Sequence, residues 1–430
     1  MIPKYLITNL LLIISSYIFA QTATQNVTSN WLLLNPDIQM ESNDAINDLY
    51  NFKFEKAEAQ FDKIKKQYPH HPIAYFLIGL SEYWKIVPDD NVETYDKKFH
   101  AYMDSAIMYG EALHKEDKNN KEAVFFLAAA NGFKGKVYSL RDNYGKAAWV
   151  AKDALNYFEF EEQDNELSPE FKFGAGLYNY FREWIPEEKP WLKMLVFPFK
   201  HGDKEKGIRQ LNEVALNAFF TRTEAYYYLL EIYLDYEYNL LRSELASKNI
   251  TKEEYDNKLH KRRESAYKIA EFLHQSYPDN SYFALQYAKI TYLTNRISIT
   301  EKVSLEMIEK ANKNYFGYND KCLRPVNYYV ADYLSRHLGQ YERSLQYFNK
   351  CVEISEKSNE DFLKHGYCIY SLEAIMRISK DLRHYEKALE CAQKIKKYYN
   401  KKSEEEKSTY LFSQSEVKII KELMKKEKRK

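Results

Sequence analysis

A short pattern that recurs along the chain constrains its fold more than any other feature. It consists of a small residue, a large apolar residue about four positions later and, in some copies, a proline that closes the unit. Ala57, Phe61 and Pro69 form one copy between Tyr50 and Pro69. Further copies contain Ala147, Ala151 and Ala154; Gly207, Leu211 and Val214; Ala266, Ala270 and Leu273; Ser344, Phe348 and Cys351; and Ala388, Ala392 and Ile395.

The pattern has a physical explanation in the packing of paired helices. Small residues on the second helix of a pair let the first helix approach, and large residues fill the remaining space. One pair cannot bury its apolar face alone, so neighbouring pairs stack. The chain has only 12 Gly and 11 Pro among 430 residues, which also favours helices. We predict an all-α protein, an irregular tetratricopeptide-like helical-repeat solenoid in which antiparallel helix pairs form a right-handed superhelix.

The N-terminal residues have the features of a secretory signal. Lys4 supplies a positive charge, Leu6–Phe19 is apolar, and Ala20 ends an acceptable cleavage site. The alternative is a single membrane anchor, but the apolar run is short for a bilayer. We therefore predict export to the periplasm, the cell surface or the exterior, with no integral membrane segment after cleavage.

Four segments follow from these features. We predict a signal peptide at 1–20, a flexible linker at 21–40, a helical-repeat domain at 41–403 and a capping helix with a basic tail at 404–430. The tail ends in the sequence KKEKRK.

The central stretch from Phe171 to Leu234 is the least repeat-like part. Gly174 and Gly176 predict close approach of one helix to a neighbour. Asp203 is a candidate N-cap for the following helix, in which Gly207 occupies the position usually held by Ala. Three prolines are expected to interrupt helical periodicity between Trp184 and Phe199: Pro186, Pro190 and Pro198.

This stretch resembles the family that joins the fungal inclusion-body clearance protein to animal tetratricopeptide-repeat proteins. The residues that match are Gly174, Gly176, Pro186, Gly202, Asp203, Gly207 and Leu211. The resemblance implies a helical-repeat scaffold without catalytic residues. The predicted signal peptide makes exported bacterial tetratricopeptide-repeat proteins the closer analogy.

Composition and motifs argue against several functional classes. The 63 basic and 62 acidic residues leave a net charge of +1, which does not suit a dedicated nucleic-acid binder. The chain lacks a phosphate-binding P-loop, a zinc-protease H-E-x-x-H motif and a G-x-S-x-G nucleophile motif. We predict no enzyme activity and no cofactor.

Residues that could bind a metal have simpler interpretations. Adjacent side chains diverge at His70 and His71, so helix capping or solvent exposure is favoured over a metal site. A solvated loop is favoured for the acidic run of Glu161, Glu162, Asp164 and Glu166, which has no calcium-loop spacing.

The four cysteines lie in the last quarter of the chain and none has C-x-x-C spacing. Cys351 and Cys368 lie at similar distances from a predicted turn, so a disulfide between them is possible in an exported protein. The alternative is that all four are small buried side chains.

The aromatic segment between Trp184 and Phe199, which we call the crossover, leaves three interpretations open: core packing, a ligand or peptide pocket, and a membrane-touching loop. Core packing is favoured, with Trp191 and Phe197 inside. The candidate binding residues are Tyr178, Tyr180, Trp184, Trp191, Phe197 and Phe199.

The favoured function is an exported non-enzymatic scaffold that binds a protein or peptide of the cell envelope in a groove lined by the first helix of each pair. The alternative is a carrier of a small apolar ligand or lipid. An apolar cavity beneath the crossover would favour the carrier.

Overall fold

The computed structural model describes residues 31–162, 168–188, 190–358, 366–401 and 403–427. Within these ranges the chain forms helices and turns, and no strand. The prediction of an all-α protein is therefore confirmed. The predicted signal peptide lies outside the described residues, as do 21–30 of the predicted linker and the last three residues of the tail.

The chain divides into two compact units, Met1–Ile86 with Asp90–Ala246, and Val87–Asp89 with Ser247–Lys430. The helices described in the first unit are α1 Pro36–Tyr50, α2 Phe54–Gln67, α3 Pro72–Ile86, α4 Asp96–Glu116, α5 Lys121–Leu140, α6 Tyr144–Glu162, α7 Pro169–Glu188, α8 Lys193–Val196, α9 Lys204–Asn217, α10 Arg222–Glu231 and α11 Glu237–Ala246. Those described in the second unit are α12 Lys252–Ser276, α13 Ser281–Leu293, α14 Ile297–Asn312, α15 Asp320–Arg336, α16 Tyr341–Lys357, α17 Tyr367–Asp381, α18 Tyr385–Tyr398 and α19 Glu404–Glu427.

Shorter helical segments complete the first unit. Leu32–Leu34 and Pro190–Leu192 are 3-10 helices, and Ile232–Tyr236 is a π-helix that joins α10 to α11. A π-helical turn carries one more residue than an α-helical turn and is often found at functional sites.

Within each unit, helices pack in the order of the sequence. Each long helix contacts the next, with α7 contacting α9 across the crossover. Helices two apart also touch, so α1, α3, α5 and α7 form one layer of the first unit, and α13, α15, α17 and α19 form one layer of the second. This alternation of paired helices is the predicted tetratricopeptide-like helical repeat.

The small and the large apolar residues of the predicted pattern are buried in five of its six copies, while Pro69 is exposed. Ala57 and Phe61 are fully buried on α2, as are Ala388 and Ile395 on α18. The exception is α6, where Ala147 and its neighbours are partly exposed. This exception marks the candidate site described below.

The first α-helix of the described residues, α1, begins before residue 41, the predicted start of the repeat domain. Asn35 caps α1 by accepting hydrogen bonds from the backbone N–H groups of Asp37 and Ile38, and Leu33 is buried. The predicted linker is therefore wrong for residues 32–40. At the other end, α19 coincides with the predicted capping helix and packs on α17 and α18. The extent of one repeat domain over 41–403 stays a prediction.

Helix α3 does not line an open groove. It is buried at every position except Tyr75 and Lys85, because it packs against α2 and α4 and also touches α1 and α5. A helix enclosed in this way must be apolar on all sides. The expectation that the first helix of each pair lines a groove is therefore wrong for α3.

Candidate ligand cavity and aromatic crossover

Two glycines allow helix α7 to pack closely against α9. A Cβ atom added to Gly207 would lie 2.7 Å from the carbonyl oxygen of Gly176 and 2.8 Å from the backbone nitrogen of Tyr180. A Cβ at Gly176 would lie 3.0 Å from Leu211. Only glycine permits this approach of two backbones. The close approach predicted at Gly174 and Gly176 is confirmed at Gly176, where the neighbouring helix contributes Gly207.

Side chains of α7 fix the end of the crossover before α9 begins. The Tyr178 hydroxyl donates to the carbonyl oxygen of Lys200 at 2.6 Å. The buried Arg182 guanidinium donates to the carbonyl oxygen of Phe199 at 3.1 Å. These two bonds satisfy backbone carbonyls that have no helix to bond to.

The start of α9 is fixed in the same way. The backbone N–H of Gly202 donates to the Glu183 carboxylate at 2.9 Å. A Cβ at Gly202 would lie only 2.5 Å from the Asn179 carbonyl oxygen, so glycine is required there. Asp203 accepts a hydrogen bond from the Lys206 N–H at 2.9 Å, which confirms the predicted N-cap.

The prolines affect the crossover at different places. Helix α7 continues through Pro186 to Glu188, so the predicted interruption at Pro186 is wrong. Pro190 begins the 3-10 helix Pro190–Leu192, where its missing N–H costs no hydrogen bond.

The crossover is anchored by some apolar residues and exposes others. Val196 and Phe199 are buried. Trp191, Met194 and Phe197 are exposed by 60%, 87% and 79%. The prediction that Trp191 and Phe197 are core residues is therefore wrong. Their backbone is held by the bonds around Phe199 and Gly202, so the aromatic side chains are not needed to fix it.

An apolar cavity of about 340 Å³ lies on the other side of α7. It is enclosed by α5, α6, α7, the crossover and the segment around the π-helix. Its lining consists of Ala129, Gly132, Phe133, Gly135, Lys136, Ser139, Tyr144, Ala147, Ala148, Ala151, Ala154, Leu155, Phe173, Leu177, Phe181, Trp184, Ile185, Trp191, Leu192, Tyr228 and Tyr236. Hydrocarbon and aromatic groups dominate this surface, as in sites for small apolar ligands.

The cavity exists because small residues on α6 face large residues that do not reach them. Ala147, Ala148 and Ala151 line one wall. The opposite wall carries aromatic side chains of α7, and Trp191 closes one edge by packing on Tyr144 with the ring centroids 6.2 Å apart. The partly exposed alanines of α6 are thus the wall of the cavity.

Lys136 is the one ammonium group among the lining residues. Its Nζ lies 4.3 Å, 5.1 Å and 5.7 Å from the ring centroids of Tyr227, Tyr228 and Tyr83, and it donates to the Tyr227 hydroxyl. Burial lowers the pKa of the Lys136 ammonium, while the negative charges of Glu231 and Glu224 oppose that shift.

A second polar group of the cavity is the indole of Trp184. Its Nε1 is buried and has no hydrogen-bond partner among the described residues. The Trp184 ring packs on that of Tyr236, with centroids 4.6 Å apart, and the Tyr236 hydroxyl donates to Glu231 at 3.2 Å. Burial raises the pKa of Tyr236 and Tyr228 well above the ordinary range, so both are neutral phenols.

The six predicted binding residues fall into three environments. Trp184 and Trp191 line the cavity. Tyr178, Tyr180 and Phe199 are buried packing residues, and the Tyr180 hydroxyl donates to Glu237 at 2.9 Å. Phe197 is exposed and does not line the cavity. The structure therefore brings two of the six together, and whether any of them binds a ligand stays a prediction.

Sequence reasoning missed Lys136 and the tyrosines of the π-helix segment. One signal could have identified Lys136: it lies in α5, whose preceding residues are almost all apolar and buried. A lysine in such a helix needs a specific environment. No comparable signal identified Tyr228 or Tyr236, because tyrosine is abundant throughout the chain.

Other predicted features have structural roles. The backbone N–H of Ile73 donates to Nδ1 of His71 at 3.2 Å, which agrees with the helix-capping interpretation, and Nε2 of His71 lies 3.1 Å from Glu122. In the described ranges no group of His, Cys, Asp and Glu could hold a metal ion. The acidic run near 161–166 lies outside the residues whose side chains are described.

All four cysteines are buried and have free thiols. Burial raises the pKa of Cys351 to about 11 and that of Cys368 to about 12, so both are protonated at neutral pH. The disulfide between them stays a prediction. Separately, no described helix combines the length and apolar character that a membrane crossing requires.

Comparisons with known proteins were made at three levels. No curated protein matches the sequence. One similar solved structure is titled a circular tandem repeat protein with novel repeat topology and enhanced subunit contact surfaces; it is 11% identical, with 93% of this chain and 99% of that chain covered and a TM-score of 0.26. Another is yeast Tom70, 12% identical, with 95% and 94% covered and the same TM-score of 0.26. At these scores neither structure supports a conclusion about this chain.

The family comparison is more informative. The Iml2/Tetratricopeptide repeat protein 39 model matches residues 151–419, more than half of the chain. The match includes the contact of Gly176 on α7 with Gly207 on α9, which we call the glycine seam. It also includes the crossover and most of the second unit. It also includes the residues on which the sequence resemblance rested. The chain belongs to the Iml2/Tetratricopeptide repeat protein 39 family.

Proposed function

We propose that this protein is an exported, non-enzymatic scaffold that binds a protein or peptide partner in the cell envelope. The family and the tetratricopeptide-like repeat suggest protein partners in general. The observation that supports a specific binding surface is the exposed crossover. Trp191, Met194 and Phe197 lie close together in sequence and are each more than half exposed. Exposed clusters of large apolar residues are typical of protein interaction sites.

The composition supports the remaining parts of this proposal. The balanced charge does not favour nucleic acid, and the chain lacks the catalytic motifs considered above. Export rests on the Lys4 and Leu6–Phe19 pattern. Intact-mass measurement of exported protein tests it: the mature chain should begin at Gln21, and a chain that retains residues 1–20 would indicate an anchor.

Cross-linking with envelope extract tests the scaffold function. Partners captured by the mature chain should be lost when Met194 and Phe197 are both replaced by Ser. The matched control is Trp149→Ser, because Trp149 is also exposed, by 70%, but belongs to α6 and does not line the cavity. Partners that survive the double substitution, or that are lost equally in the control, would contradict binding by the crossover.

A second candidate function is that of a carrier for a small apolar ligand. The specific observation that favours it is the cavity of about 340 Å³ beneath the crossover. The volume lies near the lower end of the roughly 300–1,000 Å³ usual for ligand pockets. A solid core at this place would have argued against a carrier.

A further inference from the structure

We propose that the cavity binds an apolar ligand that carries a carboxylate, and that Lys136 binds this carboxylate. The proposal rests on the carrier function and adds the chemical class of the ligand. It follows from the contrast between the walls of the cavity and the polar groups that reach it.

The walls select for hydrocarbon. Ala147, Ala148 and Ala151 on one side and Phe173, Leu177 and Phe181 on the other offer no hydrogen-bonding side chain. A polar ligand body would lose its hydrogen bonds to water there without replacement. An alkyl chain or a flat apolar ring system makes no hydrogen bonds to water and therefore loses none when it enters the cavity.

Lys136 selects for a negative head group. Its ammonium has three N–H donors, and the structure uses one of them for the Tyr227 hydroxyl. The neighbouring tyrosine rings attract the cation through their faces but accept no strong hydrogen bond. The carboxylates of Glu231 and Glu224 act on the ammonium through their charge, and neither is its hydrogen-bond partner at the Tyr227 hydroxyl. Two donors therefore remain for a ligand.

The nearest acidic groups already accept hydrogen bonds from other donors, and only Oε2 of Glu224 has no partner among the described residues. The Glu224 carboxylate accepts hydrogen bonds from the indole of Trp84 at 2.8 Å and from the Tyr50 hydroxyl at 2.9 Å. Glu231 accepts from Tyr236. Their negative charges balance part of the charge of Lys136 at longer range. They therefore stabilise the buried ammonium group in the protein without ligand.

Trp184 lines the same cavity and carries a donor that is not in use. Its buried Nε1–H lacks an acceptor among the described residues, and a buried donor without a partner is costly. A carboxylate has two oxygens and accepts several hydrogen bonds. It can therefore accept hydrogen bonds from the Lys136 ammonium and from a further donor of the cavity. A positively charged head group would instead be repelled by Lys136.

Calorimetric titration of the mature chain with decanoate and with decanol tests the proposal, because the two probes share a chain length and differ in charge. Decanoate should bind with one-to-one stoichiometry and at least about tenfold more tightly than decanol, as a charge-assisted hydrogen bond provides. Lys136→Met, which keeps the length of the side chain, should lower decanoate affinity to that of decanol and leave decanol binding unchanged. Trp184→Phe should weaken decanoate by a smaller factor.

Each result has a distinct meaning. Equal affinity for the two probes in the unaltered protein, or equal weakening of both by Lys136→Met, would overturn the carboxylate proposal and leave the carrier function standing. Absence of binding for both probes would overturn the carrier function and the proposal together. Circular dichroism of Lys136→Met must show the unaltered helical spectrum. If that variant is unfolded, the carboxylate proposal is tested by the affinities of decanoate and decanol for Lys136→Gln and for the unaltered protein.

Discussion

The two sides of helix α7 show opposite outcomes of the same sequence feature. Towards α9, Gly176 and Gly207 bring the backbones into contact and Leu211 fills the space beside them. Towards α6, the facing residues Ala147, Ala148 and Ala151 are also small, yet a cavity of about 340 Å³ remains. Small residues therefore lie at both contacts of α7, but only the contact with α9 is closely packed.

This difference shows that small residues allow two helices to pack closely only when the neighbouring helix is also held in position against them. On the closed side, the crossover ends in bonds from Tyr178, Arg182 and Glu183, which draw α9 onto α7. On the open side, Trp191 packs on Tyr144 at the edge of α6 and spans the gap without filling it. Dense packing is the norm in protein interiors, so a persistent apolar gap is unusual and supports the proposed carrier function.

One of the two largest expected effects is that of a cavity on the closed side. Leu211 is fully buried on α9 and contacts Gly176, so Leu211→Ala should destabilise the protein by about 2–5 kcal/mol. Urea denaturation followed by circular dichroism measures it. Leu216→Ala is the control on the same helix, because Leu216 is 69% exposed and its loss should change little. Similar costs for the two variants would contradict a packed seam.

Overpacking the same seam should give the next largest effect. A side chain at Gly207 meets backbone atoms of Gly176 and Tyr180, which cannot rotate away. Gly207→Leu should therefore cost about 1–3 kcal/mol in unfolding free energy. Gly145→Leu on α6 is the matched control, since a Cβ there has no neighbour within 4 Å. An unchanged unfolding midpoint for Gly207→Leu would show that the two backbones are not in contact.

The seam was predictable from the sequence and the cavity was not. Gly207 stands where the repeat pattern places a small residue, and Asp203 four residues earlier marks the helix start, so local spacing predicts both. The same pattern at Ala147 and Ala151 predicted a buried position. Burial at that position depends on where the crossover returns, which is decided by long-range bonds such as that of Arg182 to Phe199.

The prediction that Trp191 and Phe197 are core residues is wrong for the same reason. Tryptophan and phenylalanine are apolar, so Trp191 and Phe197 were assigned to the core. The sequence contains no local signal that Val196 and Phe199 point inwards while Phe197 points outwards. That alternation follows from a helix of four residues between two anchored ends.

The other of the two largest expected effects is a contrast within the crossover. Trp191→Ala and Phe197→Ala should each change the unfolding free energy by less than about 1 kcal/mol, because both side chains are mainly exposed. Phe199→Ala should cost about 3–5 kcal/mol, because that ring is buried. Thermal unfolding of the three variants measures this contrast. Equal costs would mean that the crossover is packed throughout.

The smallest expected change in stability comes from filling the open side. Ala148 lines the cavity and is partly exposed, so Ala148→Leu has room for the larger side chain and should leave the unfolding midpoint nearly unchanged. Ala112→Leu is the control, because Ala112 is exposed on α4 and does not line the cavity. A large loss of stability in Ala148→Leu alone would indicate that this side of α7 is also closed.

Binding of a neutral apolar dye, Nile red, to these two folded variants and the unaltered protein tests the central claim most directly. The dye carries no charge, so it reports the cavity independently of Lys136. The account predicts one saturable site in the unaltered protein and in Ala112→Leu, and at least about tenfold weaker binding in Ala148→Leu at an unchanged melting temperature. Dye binding that appears only as the protein unfolds, or that is equal in all three folded proteins, would contradict an open cavity beside α7.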